Sequence, residues 1–264
     1  MIRICIAGAT GNVGRELVKE IIYSSEFILA DGIANKNAGK NLGEVINIPQ
    51  INLRLKSSVD EIESNTVNVM IDYTSAKSVK DNVVKAIGKN INVVIGSSGL
   101  TEEEYVEINA LAIQHKVGVF AAGNFSVTSA LMQHFAKIAA KYINHWEIID
   151  YAPDTKLDAP SGTSRELSKE LEKINKPKWK VPVNDTVGLK ESRGVTLNNS
   201  QVHSIRVPGF YSSSEIIFGL DGENLTLRHD SISYKPYVTG TLLAAKTVMN
   251  FIGLRRGLSS ILEF

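Results

Sequence analysis

Two stretches of this chain combine residue types and spacings suited to binding anions. The first is Gly8-Ala9-Thr10-Gly11-Asn12-Val13-Gly14, between an apolar run over 2–7 and a helical pattern in which Val13, Leu17, Val18, Ile21 and Ile22 share one face. In that setting the first glycine permits a tight turn and the second lets backbone approach a diphosphate. The third allows close helix–strand packing, and the helix N-terminus faces the phosphates. The G-x-x-G-x-x-G spacing names a nicotinamide dinucleotide and leaves the reaction open; a glycine turn without a ligand is the bland alternative. The second stretch, Asp158-Ala159-Pro160-Ser161-Gly162-Thr163, directly precedes an amphipathic helix. With Thr163 at or near the N-cap, the N–H groups of Gly162 and Thr163 and the Ser161 hydroxyl would receive a carboxylate, and Lys156 would add a full positive charge. A plain capped helix start fits that spacing equally well.

Cofactor choice rests on the end of the second strand, where an acid ordinarily holds the adenosine ribose of NAD. Here the run is Ile33-Ala34-Asn35-Lys36-Asn37. Without the carboxylate, and with Lys36 available for a 2′-phosphate, the pattern points to NADPH over NADH; a solvated loop lysine is the alternative.

The elements that must position these residues form two patterns. Over the first half, strands at 2–7, 27–34, 67–72, 92–95 and 117–121 alternate with helical spacing at 12–22, 78–88 and 101–115. Thr101 followed by Glu102, Glu103 and Glu104 is a helix start. Such alternation predicts an α/β fold, a Rossmann parallel sheet with helices on both faces. After about residue 126 the reading is a helix at 127–142, a strand at 146–151, a charged helix at 163–174, and then strands near 203–206, 215–219 and 225–229. Consecutive strands predict an α+β substrate domain on a mixed sheet. The segment 176–199 reads as a long loop, and 239–252 as an apolar helix capped by Gly253. The expected division is 1–126 with 236–264 for the dinucleotide domain, and 127–235 for substrate binding and oligomerisation.

The 264 residues suffice for one or two domains, and 43% hydrophobic with 22% charged residues is ordinary for a soluble protein. A net charge of +1 gives no reason to expect nucleic acid or an anionic membrane as partner. No stretch approaches the roughly 18 apolar residues of a membrane span, and no secretory signal is expected. The single Cys5 cannot form an internal disulfide or a zinc site, so a reducing cytoplasm and no metal are expected. His115, His134 and His145 show no ligand-like spacing.

The segment Lys156-Leu157-Asp158-Ala159-Pro160-Ser161-Gly162-Thr163 resembles the K-x-D-A-P-S-G-T signature of 4-hydroxy-tetrahydrodipicolinate reductases, also called dihydrodipicolinate reductases. Further matches follow in order: the Gly8 to Gly14 loop, Asp72-Tyr73-Thr74, Gly96-Ser97-Ser98-Gly99, Ala122-Gly123-Asn124-Phe125-Ser126, His203-Ser204-Ile205-Arg206, the run from Glu215, and His229 followed by Gly240. The resemblance implies hydride transfer from NAD(P)H to a cyclic α,β-unsaturated imine bearing two carboxylates, in lysine and diaminopimelate biosynthesis, by a homotetramer. It places Gly8, Ala9, Thr10, Gly11, Asn12, Val13, Lys36, Gly96, Ser97, Ser98, Ala122, Gly123, Asn124 and Phe125 along the cofactor. Lys156, Ser161, Gly162 and Thr163 fall at the substrate.

The pattern breaks on the substrate side. The family's signature is preceded by a histidine pair whose first member is its proton donor; this chain has Ala152 and Pro153 there, and neither side chain handles a proton. Ile232-Ser233-Tyr234 stands where the family has S-R, and Ser212-Ser213-Ser214-Glu215 lacks a histidine. Lys156 is then the expected catalytic proton donor, ahead of Tyr151 and Asp154. The alternatives are reduction of a different imine, or a non-catalytic nucleotide-binding protein. A semialdehyde dehydrogenase would need a nucleophilic cysteine, and Cys5 lies within the first strand.

Overall fold

The computed structural model describes residues 1–262, which divide into two compact units: Met1–Ser126 together with the chain from Tyr234, and Val127–Ser233. In the first unit the order is β1 (Ile2–Ala7), α1 (Asn12–Ile21), β2 (Phe27–Ile33), α2 (Leu42–Ile46), β3 (Val69–Asp72), α3 (Val79–Gly88), β4 (Asn92–Ile95), α4 (Glu102–His115) and β5 (Gly118–Ala121). The second unit holds α5 (Val127–Ala139), β6 (Trp146–Ala152), α6 (Gly162–Glu172), β7 (Val195–Leu197), β8 (Ser200–Arg206), β9 (Ser212–Leu220) and β10 (Glu223–Ser231). The chain then returns to the first unit with α7 (Pro236–Thr247) and β11 (Gly253–Arg256).

The first sheet is parallel throughout, in the order β11-β5-β4-β3-β1-β2. Its inner strands β1, β3, β4 and β5 are buried along most of their length on both faces, which is why they read as largely apolar runs. Cys5, Ala7, Met70, Val93, Ile95, Val119 and Ala121 pack with Val83 and Ala86 of α3 and Ile108 and Ala112 of α4. The alternate residues Ile4, Ile6, Ile71, Val94 and Phe120 are also buried, on the face where α1 and α7 contact the strands. Leu17, Val18 and Ile21 anchor α1, each burial contributing about 1.5–3 kcal/mol. Thr101 caps α4 in a full capping box with Glu104.

The second sheet is mixed, in the order β10-β9-β6-β8-β7, with β6 and β8 parallel and the other pairs antiparallel. Residues of β6 alternate, so Trp146 and Ile148 join Val202, Ile216 and Phe218 beneath α5 and α6. The buried Trp146 indole donates to Ser200 Oγ at 2.9 Å. The opposite face carries polar pairs, Glu147 with His203 at 2.7 Å and Tyr151 with Glu215 at 3.1 Å.

Three expectations need correction. The helix expected at 239–252 begins earlier, with Pro236 in its first turn, and ends at Thr247. Gly253, expected as its cap, instead starts β11 at φ +88, because its backbone continues the parallel ladder beside Gly118. The segment 176–199 is not featureless: it holds short 3₁₀ turns at Val183–Asp185 and Lys190–Arg193, and β7.

Candidate functional site

The strands β2, β1, β3, β4 and β5 end in one row, since Ile33 pairs with Ala7, Ala7 with Asp72, Asp72 with Ile95, and Ile95 with Ala121. The four expected cofactor segments leave the sheet from that row, after β1, β2, β4 and β5. The sequential direction reverses between β1 and β3, and the crevice outside such a switch point is where open parallel sheets hold ligands.

At the centre, Gly8 has φ +86, and a Cβ there would lie 2.2 Å from the Tyr73 carbonyl oxygen. A Cβ on Gly14 would lie 2.2 Å from the Gly8 carbonyl oxygen. Both glycines therefore hold strand, turn and helix in closer contact than any side chain permits. The amides of Gly8 and Ala9 donate to the Ile33 carbonyl at 2.9 and 3.2 Å, and that of Gly11 to Gly8 at 2.9 Å. These residues shape the turn. Asn12 and Val13 open α1, where amides have no intrahelical acceptor, and the N-cap Gly11 offers no capping side chain. The cradle thus fits a diphosphate, with open donors and the positive end of a helix dipole at its floor. Arg15 Nε braces the turn at the Thr10 carbonyl, 2.8 Å away. Exposed Lys36 lies in the single 3₁₀ turn Asn35–Asn37 after β2, tied to the glycine loop through Asn37 Nδ2 and Thr10 Oγ1 at 3.5 Å.

Asp72 organises the neighbouring loops. It is fully buried, and its Oδ1 accepts from Thr74 N at 3.1 Å, Thr74 Oγ1 at 2.8 Å and Ser97 Oγ at 2.6 Å. Asn82 Nδ2 serves Oδ2 at 2.9 Å. Sequence reasoning missed Asn82, although an amide on the face shared by Val79, Val83 and Ala86 signals a buried partner. Gly96 lies against the Tyr73 ring, where a Cβ would sit 2.2 Å from a ring carbon, and the Tyr73 phenol pairs with Thr241 at 2.8 Å. Burial pushes that phenol above its ordinary value. Ser98 follows in the same β4 loop. Ala122 and Gly123 continue from β5; Asn124 Oδ1 accepts the Ser126 amide at 2.8 Å, and Phe125 packs edge-on to Tyr73. Cys5 is buried and its thiol is pushed up by desolvation, so it offers no nucleophile.

In the second unit the N-cap of α6 is Ser161, and Thr163, expected at or near the cap, is the second helical residue. Ser161 Oγ accepts from Ser164 N at 3.3 Å, and Gly162 and Thr163 become the first helical residues, whose amides lack intrahelical acceptors. A Cβ on Gly162 would meet nothing within 4 Å, so the side-chain position at the first helical residue is open. Lys156 is set by a turn in which its amide donates to the Pro153 carbonyl at 3.0 Å, and its Nζ pairs with Asp158 Oδ1 at 2.6 Å. Partial burial raises the Asp158 carboxyl, but the hydrogen bond and charge of Lys156 outweigh it and leave the group below its ordinary value. Ala152 is buried, and Asp154 is exposed. Tyr151 faces the other side of the sheet, engaged by Glu215 with Arg228 over its ring at 4.7 Å; burial and then Glu215 raise its phenol. His229 lies between Thr128 at 3.0 Å and Ser231 at 3.2 Å. Among the described residues no His, Cys, Asp and Glu group could hold a metal, and no helix is long and apolar enough to cross a membrane.

Residues 2–125 match the family model for the N-terminus of dihydrodipicolinate reductase, and residues 126–261 match that for its C-terminus. Among curated relatives, the 4-hydroxy-tetrahydrodipicolinate reductase of Desulfitobacterium hafniense is 34% identical over 264 residues, 99% of each chain. That of Geobacillus kaustophilus is 35% identical over 263 residues, again 99% of each. A dipicolinate-bound dihydrodipicolinate reductase from Paenisporosarcina sp. TG-14 superposes with a TM-score of 0.83 at 31% identity, covering 99% of this chain and 100% of the other.

Proposed function

The chain belongs to the dihydrodipicolinate reductase family, and from that premise we propose that it reduces 4-hydroxy-tetrahydrodipicolinate, a cyclic imine dicarboxylate of lysine and diaminopimelate biosynthesis, with NADPH. The observation that carries the reading is the Gly8–Gly14 turn, whose close approach leaves the first amides of α1 open at a switch point of the parallel sheet. A bound reduced nicotinamide supplies a hydride to an electrophilic ring carbon.

The chain's own residues bind, orient and handle the proton. Gly8, Ala9, Thr10 and Gly11 shape the turn, and the amides of Asn12 and Val13 receive the diphosphate. Lys36 pairs with the 2′-phosphate and favours NADPH. Gly96, Ser97, Ser98, Ala122, Gly123, Asn124 and Phe125 line the cofactor from the neighbouring strand ends. Ser161, Gly162 and Thr163 take one substrate carboxylate on the start of α6. Lys156 Nζ, held by its ion pair with Asp158, gives the proton that balances the hydride, the task for which Ala152 offers only a methyl group. Four copies assemble through the polar face of the mixed sheet, in a reducing cytoplasm where Cys5 remains a thiol.

Steady-state oxidation of NADPH tests this reading. Turnover that depends on added 4-hydroxy-tetrahydrodipicolinate supports it. Nucleotide binding with no turnover on that imine refutes it, and points to another imine or to a non-catalytic nucleotide-binding protein.

A further inference from the structure

Asp150 occupies an inward-facing position of β6, in alternation with Trp146, Ile148 and Ala152, and is 1% exposed. A carboxylate placed among such neighbours is costly unless it is paired and hydrogen-bonded. Its Oδ2 accepts from Arg206 Nη2 at 2.7 Å, from the Ser161 amide at 2.8 Å and from Ser204 Oγ at 3.3 Å. Arg206 ends β8 and stands beside Ala152 in the parallel register.

The same Arg206 Nη2 also donates to the Asp158 carbonyl at 2.8 Å, and Nη1 reaches the carbonyls of Asp150 at 3.3 Å and Ile205 at 2.9 Å. One ion pair therefore grips the signature turn on both sides of Ala159–Pro160, at the Asp158 carbonyl before it and at the Ser161 amide after it. Asp158 carries the carboxylate that holds Lys156, and Ser161 caps α6. The pair thus connects a strand pair of the rigid sheet to both ends of the anion-binding turn. A planar guanidinium suits the task because two of its nitrogens serve several acceptors at fixed angles, whereas a lysine would present one flexible ammonium.

We infer that Arg206, through its pair with Asp150, is a positioning residue that sets the Asp158–Ser161 turn and hence the carboxylate-binding start of α6. Arg206 touches no substrate; it acts on the turn. This rests on the proposal that the turn receives a dicarboxylate. An ion pair that only stabilises the second unit would lower the melting temperature and leave ligand affinity unchanged.

The probe is dipicolinate, titrated calorimetrically into the full-length protein saturated with NADPH. Arg206→Lys keeps the charge and removes the fork. Asp150→Asn keeps an acceptor for the Ser161 amide and removes the ion pair, so either folded variant tests the inference if the other is unstable. The expected result is a rise of about tenfold or more in the dipicolinate Kd for Arg206→Lys and a smaller rise for Asp150→Asn, with the NADPH Kd within about twofold of wild type. In turnover, KM for the imine rises more than kcat falls. A dipicolinate Kd equal to wild type in the folded variants, with or without a lower melting temperature, overturns the inference. Failure of the wild-type protein itself to bind dipicolinate overturns the substrate reading beneath it, a result distinct from wild-type binding with unaffected variants.

Discussion

Gly14→Ala is the most informative perturbation of the nucleotide cradle. The added Cβ would stand 2.2 Å from the Gly8 carbonyl oxygen and 3.0 Å from two Ala9 backbone carbons, where ordinary contact begins at 3.4 Å. Relief requires a separation of roughly 1.2 Å, the difference between 3.4 and 2.2, and both partners are backbone, so no side chain can swing aside. Moving the α1 start by about 1 Å carries amide–phosphate contacts of ~2.9 Å beyond hydrogen-bonding range. Charged hydrogen bonds contribute about 1.5–3 kcal/mol each, so losing two weakens binding by about 3–6 kcal/mol, roughly 10²–10⁴-fold in Kd. Overpacking adds a stability loss of about 1–3 kcal/mol. NADPH titration by calorimetry, with circular dichroism to establish folding, reads both effects. Gly88→Ala is the control, since a Cβ there meets nothing within 4 Å and affinity should be unchanged. A folded Gly14→Ala protein with wild-type NADPH affinity would refute the reasoning.

Three other outcomes are expected. Lys156→Met should lower kcat by about 10²–10⁴-fold with the NADPH Kd unchanged; a kcat within tenfold of wild type removes Lys156 from proton transfer. Lys36→Ala should raise the NADPH Kd by about two- to fivefold, the range of an exposed charge pair, and leave NADH binding unaltered in the same titration. Desolvation holds His229 below its ordinary 6.5, with the Asp230 charge opposing. The folded state therefore favours the neutral ring: the contribution is complete above about pH 6.5 and is lost as pH falls towards the folded value, because there the unfolded chain binds more protons. Urea midpoints should fall less on acidification from about pH 7.5 to 5.5 in His229→Gln than in wild type, and equal falls would assign the dependence to other groups.

Most of the parallel half of the fold was legible because its inner strands are largely apolar runs and its glycine loop needs a strand before it and a helix after it. What was not legible was set by long-range pairing. Gly253 reads as a helix cap, yet its partner Gly118 is 135 positions away, and only the ladder reveals the strand. The segment before the amphipathic helix places the cap at or near Thr163, but which residue caps is not local: the cap is Ser161, whose amide is held by the Asp150 carboxylate. Asp72 was visible within a motif, but its work lies in contacts with Ser97 and Asn82 that no local pattern contains. Asp150 was hidden similarly, since strand alternation marks it as inward-facing but cannot name Arg206 as its partner.

Transfer of hydrogen from the nucleotide to the imine is the central claim, and isotope labelling measures it most directly. With NADPH deuterated at the transferable position and 4-hydroxy-tetrahydrodipicolinate as acceptor, mass spectrometry of the product should show one deuterium on a ring carbon, with one nucleotide oxidised per product formed. Product without the label, or no product from a protein that binds both ligands, would contradict the account.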